Sequence, residues 1–306
     1  MSAWVVGGAV ACGGAGVPRF PVMQAVPLPG EVVSFQREGV EVAALHFGRD
    51  LHRPYICPLV GPSGRWLTRM GHPGDPEGHS HHNSIWISHK DVNGVSFWED
   101  GAAGRIVHRR IERLEDGLEA AAVTLNAWEQ GEGKVIVEER RRVAVRPLAA
   151  RELLVTIDIE FRATQGVVTF GPTPFGLIGV RMAKTLGVRD GGGTIRNSEG
   201  GVNEAGTFRL PARWADYSGC AAADCVEGIA LMDHPGNPGH PVAFHTRDDG
   251  WMGACLSKDS PIVIAAGATL PVRYALYVHA GGCDARKINA RWREFAGSAP
   301  VAGEKK

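Results

Sequence analysis

The sequence predicts an all-β protein, a large antiparallel β-sandwich with one short C-terminal helix. Between residues 31 and 280, apolar side chains recur mostly at every second position, which is the period of a half-buried strand. Glycine accounts for 41 of the 306 residues and proline for 19, so turns are frequent. A helical spacing of apolar residues stands out in one segment near the C-terminus. Long strands, many turns and a single helix together favour packed antiparallel sheets.

The composition is that of a globular protein with balanced charge. Hydrophobic residues make up 44 % of the chain, and 33 basic residues balance 33 acidic ones. This balance argues against nucleic acid or an anionic membrane as the main partner. No apolar stretch approaches the roughly 18 residues of a membrane-spanning helix. The six cysteines form no CxxC pair, and we interpret them as reduced, mostly buried thiols.

The ends of the chain differ from its middle. We expect residues 1–30 to be an extended or flexible lead-in, because they are rich in glycine and proline. No Lys or Arg precedes the apolar segment at residues 3–16 in the way a secretory signal requires, so we expect a cytoplasmic protein, with export as the alternative. Residues 31–298 are predicted to form one β-sandwich domain, and residues 299–306 a disordered tail.

Four strands show the clearest patterns. Residues 106–114 and 118–128 are predicted to form a hairpin around Asp116-Gly117, a pair of residues that favours tight turns. Residues 134–146 form a third long strand, whose charged run at 138–142 we interpret as a solvated face with cross-strand ion pairs. Residues 153–161 alternate between apolar and polar positions, as a strand with one buried face does.

The C-terminal region contains one more strand and the helix. Residues 272–278 alternate as residues 153–161 do. Asp284 can cap a helix, and Ile288, Trp292 and Phe295 would then share one face. Gly297 is predicted to end the helix.

The segment from Arg69 to Asp100 is the richest in chemistry. It contains five of the twelve histidines, namely His72, His79, His81, His82 and His89. Gly, Pro and Ser predict a loop over residues 72–80, and residues 84–90 then alternate as a strand, with Ile85 and Ile87 on one face and Trp86 on the other. A turn follows at residues 91–94. Loops held by a rigid sheet often carry function.

Several interpretations of these histidines stay open. In the first interpretation, they serve only to hydrogen-bond the loop to itself. His79 and His81 point the same way on an extended segment, so a divalent metal held by these two residues is a second interpretation. Neutral imidazoles that work as acids or bases near pH 7 are a third. Trp86 and Trp98 would be either core residues or a surface on which a sugar ring stacks.

Two further polar segments contribute candidates. Asn197 and Glu199 lie in a Gly-rich turn region, after a triple glycine that matches no nucleotide-binding motif. His234 lies in a loop rich in Pro and Gly. His245 and Arg247 follow on a predicted strand and would share one face, which suits an oxygen-rich substrate.

The string from His79 to Trp86 (HSHHNSIW), followed by His89, Asp91-Val92-Asn93-Gly94 and Phe97-Trp98, resembles the signature of the bacterial "PmoA-like" family, a domain of unknown function. The resemblance spans roughly residues 50–280. Ser80 stands where this family usually has Pro, and Asn83 where it often has Arg. The label refers to a helical membrane oxygenase, which this chain does not resemble. A weaker similarity of pattern is to galactose mutarotase-like supersandwich proteins.

The resemblance implies a role in carbohydrate metabolism, and the residues indicate acid–base chemistry on a sugar. We therefore predict a sugar epimerase, an isomerase or a keto-sugar lyase. A non-catalytic module that binds carbohydrate or metal is the alternative. The candidate catalytic residues are His81, His82 and His245 as acids and Asp91 and Glu199 as bases. The candidate substrate-binding residues are Trp86, His89, Asn93, Trp98, Arg181, Asn197, His234 and Arg247.

Overall fold

The computed structural model describes residues 20–75, 78–131 and 133–298. Strands dominate this part of the chain. The strands are β1 (Met23–Leu28), β2 (Val32–Arg37), β3 (Val40–His46), β4 (Tyr55–Leu59), β5 (Ile85–Ser88), β6 (Gly104–Glu115), β7 (Ala120–Gln130), β8 (Lys134–Pro147), β9 (Leu153–Arg162), β10 (Val168–Phe170), β11 (Leu177–Arg181), β12 (Thr194–Asn197), β13 (Leu210–Pro211), β14 (Trp214–Ala222), β15 (Cys225–Asp233), β16 (Ala243–Arg247), β17 (Trp251–Cys255), β18 (Ile262–Ile264) and β19 (Thr269–Ala280). The α-helices are α1 (Val188–Gly191), α2 (Asn203–Thr207) and α3 (Ala285–Gly297), and single 3-10 turns span Ala149–Arg151 and Lys184–Leu186.

Two large antiparallel sheets form the body of the molecule. The nine-stranded sheet has the order β1-β2-β3-β4-β5-β11-β17-β16-β13, and the eight-stranded sheet has the order β12-β14-β15-β19-β9-β8-β7-β6. One buried apolar cluster joins them, with Phe35 and Ile178 from the first sheet and Val155 and Leu276 from the second. The antiparallel β-sandwich predicted from the sequence is therefore confirmed. β10 and β18 form a separate pair.

The predicted hairpin and long strands are present. β6 and β7 pair up to Glu115 and Ala121 on either side of the turn. The Asp116 carboxylate in that turn accepts a hydrogen bond of 2.8 Å from the Ala25 backbone N–H, so the turn also anchors β1. β9 and β19 pair along ten residues in the centre of the eight-stranded sheet. Their alternation arises because one face of each strand is buried in the sandwich core.

The charged run at residues 138–142 corrects our expectation of a solvated face. Glu139 and Arg141 form a buried ion pair with side-chain exposures of 0 % and 3 %. The Trp128 indole donates a 2.6 Å hydrogen bond to Glu139. Cross-strand ion pairs do occur at Arg142, which lies 2.8 Å from Glu115. Glu139 and Arg141 lie two residues apart on β8 and therefore share one face, where each satisfies the other's charge. The run of charges by itself does not reveal that this face is buried.

Helix α3 forms as predicted and lies on the outer face of the eight-stranded sheet. The Asp284 carboxylate accepts hydrogen bonds from the first free backbone N–H groups of the helix. Ile288 and Phe295 are 1 % exposed and pack, together with the partly buried Trp292, on Trp214 and other apolar side chains of the sheet. The helix therefore seals that face. The short helices α1 and α2 were not predicted, because four or five residues show no period.

The predicted lead-in is in part a strand, since residues 23–28 form β1 and pair along their whole length with β2. The expectations for residues 1–19 and 299–306 fall outside the described residues. The described cysteines are free thiols, but only Cys57 and Cys255 are buried, so the expectation of mostly buried thiols is wrong. No helix in the described ranges has the length and apolar character needed to cross a membrane.

Candidate functional site

A row of six residues crosses the outer face of the nine-stranded sheet, on the side away from the sandwich core. The strand registers place these residues opposite one another from β3 to β16. In order, they are His46, Tyr55, Trp86, Gly179, Gly253 and His245. Because side chains alternate along a strand, the residues of this row share one face. Aromatic and imidazole rings are therefore concentrated on this face.

Glycine in this row makes room for tryptophan. A Cβ atom at Gly179 would lie 2.4 Å from the Trp86 ring, so a larger residue would displace that ring. Trp86 packs with Trp98 and Trp251, at ring-centroid distances of 5.6 and 6.5 Å. We call these three rings the tryptophan floor. Their exposures of 1 %, 3 % and 4 % leave no ring face open for a sugar, which corrects the expected stacking on Trp86 or Trp98.

Three histidines of the predicted loop lie on the tryptophan floor. The His82 ring stacks on Trp86 with 4.9 Å between centroids. His79 stacks on His82 at 4.3 Å, and His81 meets His82 edge-on at 4.7 Å. His82 is buried, whereas His79 and His81 are partly exposed. We call these three residues the histidine layer, and it forms the part of the cluster that meets solvent.

Arg53 holds the histidine layer in place. Its guanidinium donates hydrogen bonds of 3.0 Å to the His81 carbonyl and 2.5 Å to the Asn83 side chain. It also donates to the carbonyls of Phe97 and Trp98, at 3.0 and 2.6 Å. Burial lowers the pKa of Arg53 to about 10, so it stays charged at neutral pH. One buried cation thus ties the loop to the segment that carries Trp98.

A chain of charged groups runs from the histidine layer across the sheet. His79 Nδ1 lies 3.2 Å from Asp249 Oδ2, and Asp249 Oδ1 lies 3.4 Å from Arg181 Nη1. Arg181 and Arg69 both contact Asp75, at 3.2 and 2.8 Å. Burial would raise the pKa of Asp249, but the neighbouring His79 ring and the charge of Arg181 outweigh it and lower that pKa. Asp249 is therefore a carboxylate that faces His79 Nδ1.

His245 borders the cluster on its other side. Its ring stacks on Trp251 with 4.4 Å between centroids and meets the Phe208 ring edge-on at 4.7 Å. Arg247 shares the face of His245, as the strand pattern predicts, and its guanidinium lies 5.4 Å from the Phe208 ring centre. The Arg247 side chain also lies 3.1 Å from Glu204. His245 and Arg247 thus belong to the same surface as the histidine layer.

The histidines in contact with the floor are neutral at pH 7. Burial lowers the pKa of His81 and of His245 to about 4, and the nearby positive charges of Arg53 and Arg247 act in the same direction. Burial lowers the pKa of His82 as well. A neutral imidazole accepts a proton or a hydrogen bond, but it carries no imidazolium proton to donate. The expected role of these three residues as general acids therefore finds no support at neutral pH.

Several buried polar atoms inside the cluster have no hydrogen-bond partner among the described residues, including His79 Nδ1, whose 3.2 Å contact with Asp249 lacks hydrogen-bond geometry. His82 Nδ1 and Trp86 Nε1 are buried, and neither has a hydrogen bond to any described residue. Buried polar atoms are nearly always hydrogen-bonded, so each exception needs an explanation. Water or a bound ligand would satisfy both atoms.

Three of the predicted site residues lie elsewhere. His89 is fully buried on the sandwich side of the sheet, and its Nε2 lies 2.9 Å from Ser257 Oγ. Asp91 closes its own turn by accepting a 2.8 Å hydrogen bond from the Gly94 N–H. Asn93 donates to a backbone carbonyl 3.1 Å away in the segment before β10. No contact joins these side chains to the histidine layer within the described residues.

The other polar segments also lie apart from the cluster. Asn197 accepts hydrogen bonds of 3.1 and 2.8 Å from two N–H groups of its own turn. Glu199 is exposed and lies 3.8 Å from Arg213. His234 packs against Phe295 of helix α3 with 5.1 Å between ring centroids. Neither of the two predicted bases, Glu199 and Asp91, is thus brought to the histidines.

The structure adds residues that the sequence analysis missed, among them Asp249, Trp251, Arg53 and Phe208. Asp249 and Trp251 follow His245 within six residues, as part of the run Asp-Asp-Gly-Trp. A turn that returns the chain antiparallel beside β16 signals that these residues face the same surface. Arg53 and Phe208 gave no comparable signal, because they come from segments distant in sequence.

The described residues do not fit a metal centre. They contain no group of three or more His, Cys, Asp or Glu side chains placed to hold an ion. His79 directs Nδ1 at Asp249, and the His79 and His81 rings lie 6.1 Å apart at nearly right angles. The divalent metal considered for these two residues stays a prediction, and we assign it no step.

Comparison with solved structures finds similarity of fold at low identity. A polysaccharide lyase is 9 % identical with a TM-score of 0.39, and the match covers 90 % of this chain and 35 % of that one. An α-galactosidase from Lactobacillus brevis is 9 % identical with a TM-score of 0.41, over 78 % of this chain and 38 % of that one. A glycoside hydrolase family 97 enzyme from Pseudoalteromonas sp. strain K8 is 8 % identical with a TM-score of 0.31, over 78 % and 34 %.

The chain spans between 34 and 38 % of the length of these three proteins. At such identities the similarity concerns the arrangement of strands and says nothing about activity. None of the curated proteins compared matches the sequence. A family model does match residues 32–293, which is most of the chain, so the protein belongs to DUF6807, a family of unknown function.

Proposed function

We propose that the protein acts on a carbohydrate by acid–base chemistry at the histidine layer, as a sugar epimerase, an isomerase or a keto-sugar lyase. The observation that carries this proposal is the His79–Asp249 pair, 3.2 Å apart, with Arg181 3.4 Å behind the carboxylate. A carboxylate on Nδ1 fixes the tautomer of an imidazole and stabilises the cation that forms when Nε2 accepts a proton. His79 Nε2 has no partner among the described residues, so it is the atom left for a substrate.

The first step in this proposal is proton transfer to His79. With Nδ1–H directed at Asp249, the ring accepts a proton at Nε2 from the carbon next to the substrate carbonyl. The C–H electron pair then forms an enolate, whose oxygen takes the negative charge. Return of the proton to carbon completes an epimerisation or isomerisation. Loss of a β-substituent with its bonding electrons completes a lyase reaction.

The surroundings of His79 suit a hydroxylated ring. Phe175 and Phe208 are partly exposed rings beside the buried floor, and each offers an apolar edge to the C–H face of a sugar. Arg247 is 38 % exposed and offers guanidinium donors to hydroxyl groups. Neutral His81 and His245 are available to accept hydrogen bonds from hydroxyls. The tryptophan floor makes this constellation rigid.

Proton exchange with solvent tests the proposal without knowledge of the product. The protein is incubated with a panel of aldoses, ketoses and keto-sugar acids in D2O, and deuterium at the carbon next to the carbonyl is followed by NMR. We expect exchange with the wild type and a loss of about 10²–10⁴-fold with His79→Ala. Asp249→Asn is expected to lower the rate as well, since it removes the charge that stabilises the imidazolium.

His72→Ala is the matched control, because His72 is an exposed residue of the same loop, and its ring accepts a hydrogen bond of 3.1 Å from the Gly74 N–H. This variant should catalyse deuterium incorporation into the sugar at the wild-type rate. Equal rates for wild type and His79→Ala, or no exchange with any sugar, would contradict the proposed chemistry.

A non-catalytic carbohydrate-binding module is the second candidate. It is favoured by the unpartnered His82 Nδ1 and Trp86 Nε1, and by neutral His81 and His245, which bind without exchanging protons. In that case a sugar of the panel would bind, the rate of deuterium incorporation would equal that of buffer, and His79→Ala would weaken binding.

A further inference from the structure

Trp66 differs from the other tryptophans of the described chain. Its exposure is 59 %, whereas Trp86, Trp98 and Trp251 are at most 4 % exposed. It follows β4 in a short segment that returns along the sheet, where Leu67 N–H bonds to the Leu59 carbonyl at 2.9 Å. No ring contact or hydrogen bond involves the Trp66 side chain within the described residues. Its exposed indole offers an apolar ring face to a ligand.

Trp66 forms one wall of a groove of about 580 Å³. The groove lies between β2–β4 of the nine-stranded sheet and the 3-10 turn that precedes β9 in the eight-stranded sheet, so it opens at one end of the sandwich. Its charged lining consists of Arg37, Glu38, Glu41 and Arg151. None of its described lining residues belongs to the histidine layer or the tryptophan floor. The groove is therefore separate from the cluster.

The charged groups of the groove are largely unused. Neither the Arg37 nor the Arg151 guanidinium has an ion pair or hydrogen bond with a described residue, and the Nη1 atom of Arg37 is buried without an acceptor. The Glu41 carboxylate accepts one hydrogen bond of 2.6 Å from Ser34 Oγ, and the Glu38 carboxylate has no partner among the described residues. Two guanidinium groups and two carboxylates thus offer donors and acceptors around an exposed indole.

We propose that this groove is a second carbohydrate site, which binds a neutral pyranose with its C–H face on Trp66. A pyranose presents an apolar face to an aromatic ring and hydroxyl groups at its edge. Each hydroxyl both donates and accepts, so it pairs with carboxylates and guanidinium groups alike. The two positive and two negative side chains cancel, which favours a neutral ring over a uronate or a phosphate. The site does not depend on the chemistry proposed for His79.

The test uses the methyl glycosides of glucose, galactose, mannose and xylose as probes. Saturation-transfer NMR detects the bound sugar, and tryptophan fluorescence gives its affinity. At least one probe is expected to bind the wild type, Trp66→Ala to weaken that binding at least tenfold, and Trp66→Phe to retain part of it. Arg37→Gln and Arg151→Gln are each expected to weaken it severalfold. Val263→Ala, at an apolar side chain 61 % exposed on β18, which belongs to the separate β10–β18 pair, serves as the control and should bind normally.

Three outcomes would overturn the proposal. They are binding of none of the four glycosides, undiminished binding by Trp66→Ala, and tighter binding of glucuronate than of the neutral glycosides. A second copy of the chain is the other possible occupant of the groove, and analytical ultracentrifugation of wild type and Trp66→Ala tests for it. If the variant changes the oligomeric state and no sugar binds, the groove is an interface between copies. Trp66→Ala should keep the deuterium-exchange rate of the wild type, so that failure at this groove and failure at His79 stay distinguishable.

Discussion

The two outer faces of the sandwich each carry a histidine beside an aspartate, and the two pairs differ in what surrounds them. On the eight-stranded sheet, His279 Nε2 lies 2.7 Å from Asp216, with both side chains no more than 3 % exposed. On the nine-stranded sheet, His79 Nδ1 lies 3.2 Å from Asp249, and the His79 side chain is 22 % exposed. One pair is buried next to a face that helix α3 seals, whereas the other is partly open to solvent.

The pKa values of the histidines also differ between the two faces. Burial would lower the pKa of His279, but the hydrogen bond and charge of Asp216 outweigh it and raise that pKa. On the open face, burial lowers the pKa values of His81 and His245 to about 4, and within the described ranges no carboxylate is hydrogen-bonded to either ring. A His–Asp pair alone therefore does not mark a site. Solvent access and unpartnered neighbours distinguish the candidate site from the structural pair.

The largest expected loss of stability follows from breaking the buried His279–Asp216 pair. Asp216→Ala leaves His279 and Ser218 without their partner, and it should lower the free energy of unfolding by about 3–5 kcal/mol. Chemical denaturation at pH 6 measures the change. Asp259→Ala, at a side chain 77 % exposed, is the control and should cost less than about 0.5 kcal/mol. A loss below about 1 kcal/mol at Asp216 would remove the contrast between the faces.

Titration of the histidines separates the faces directly. His81 and His245 should titrate near pH 4, and His279 above its ordinary value of 6.5. Unfolded histidines bind protons near pH 6.5, so the stabilisation due to neutral His81 and His245 is lost as the pH falls from about 6.5 to about 4. The contribution of His279 is present below pH 6.5 and is lost as the pH rises through its raised pKa. Histidine Cε1–H NMR signals report each value, and a common titration of all three would refute the comparison.

A smaller effect is expected on the floor of the open face. Gly179→Ala places a Cβ atom 2.4 Å from the Trp86 ring, so the ring must move. Such overpacking should cost about 1–3 kcal/mol and change the near-ultraviolet circular dichroism of the tryptophans. Gly282→Ala is the matched control, because its Cβ would meet no atom within 4 Å. An unchanged spectrum for Gly179→Ala would mean that the floor is not rigid.

The smallest effect concerns the helix that seals the other face. Asp284→Ala removes the side chain that accepts hydrogen bonds of 3.0 and 3.2 Å from the N–H groups of Arg286 and Lys287. It should lower stability by about 1 kcal/mol, and Asp284→Ser should restore most of that loss. If Asp284→Ala and Asp284→Ser unfold at the same temperature, another group caps the helix.

Much of the fold follows from local pattern. The alternation along β9 and β19, the β6–β7 hairpin and the cap at Asp284 are short-range signals, and each is confirmed. The tight turn expected at Asp116-Gly117 is wrong, since residues 116–119 connect the two strands. The Glu139–Arg141 pair was misjudged as solvated, because a run of charges does not show which face of the strand is buried. The chain is shown to belong to DUF6807, and its resemblance to "PmoA-like" and mutarotase-like proteins stays a prediction.

The candidate site, like the fold, was predicted from the sequence only in part. The sequence by itself placed three histidines on a loop before a strand, with Trp86 on the face opposite Ile85, because loop composition and strand alternation are local. Only the tertiary structure decided that Asp249, Trp251 and His245 join them while Asp91, Glu199 and His234 do not. Which side chains meet across a sheet depends on strand order and register. Those are set by the packing of the whole sandwich and are not encoded in any one segment.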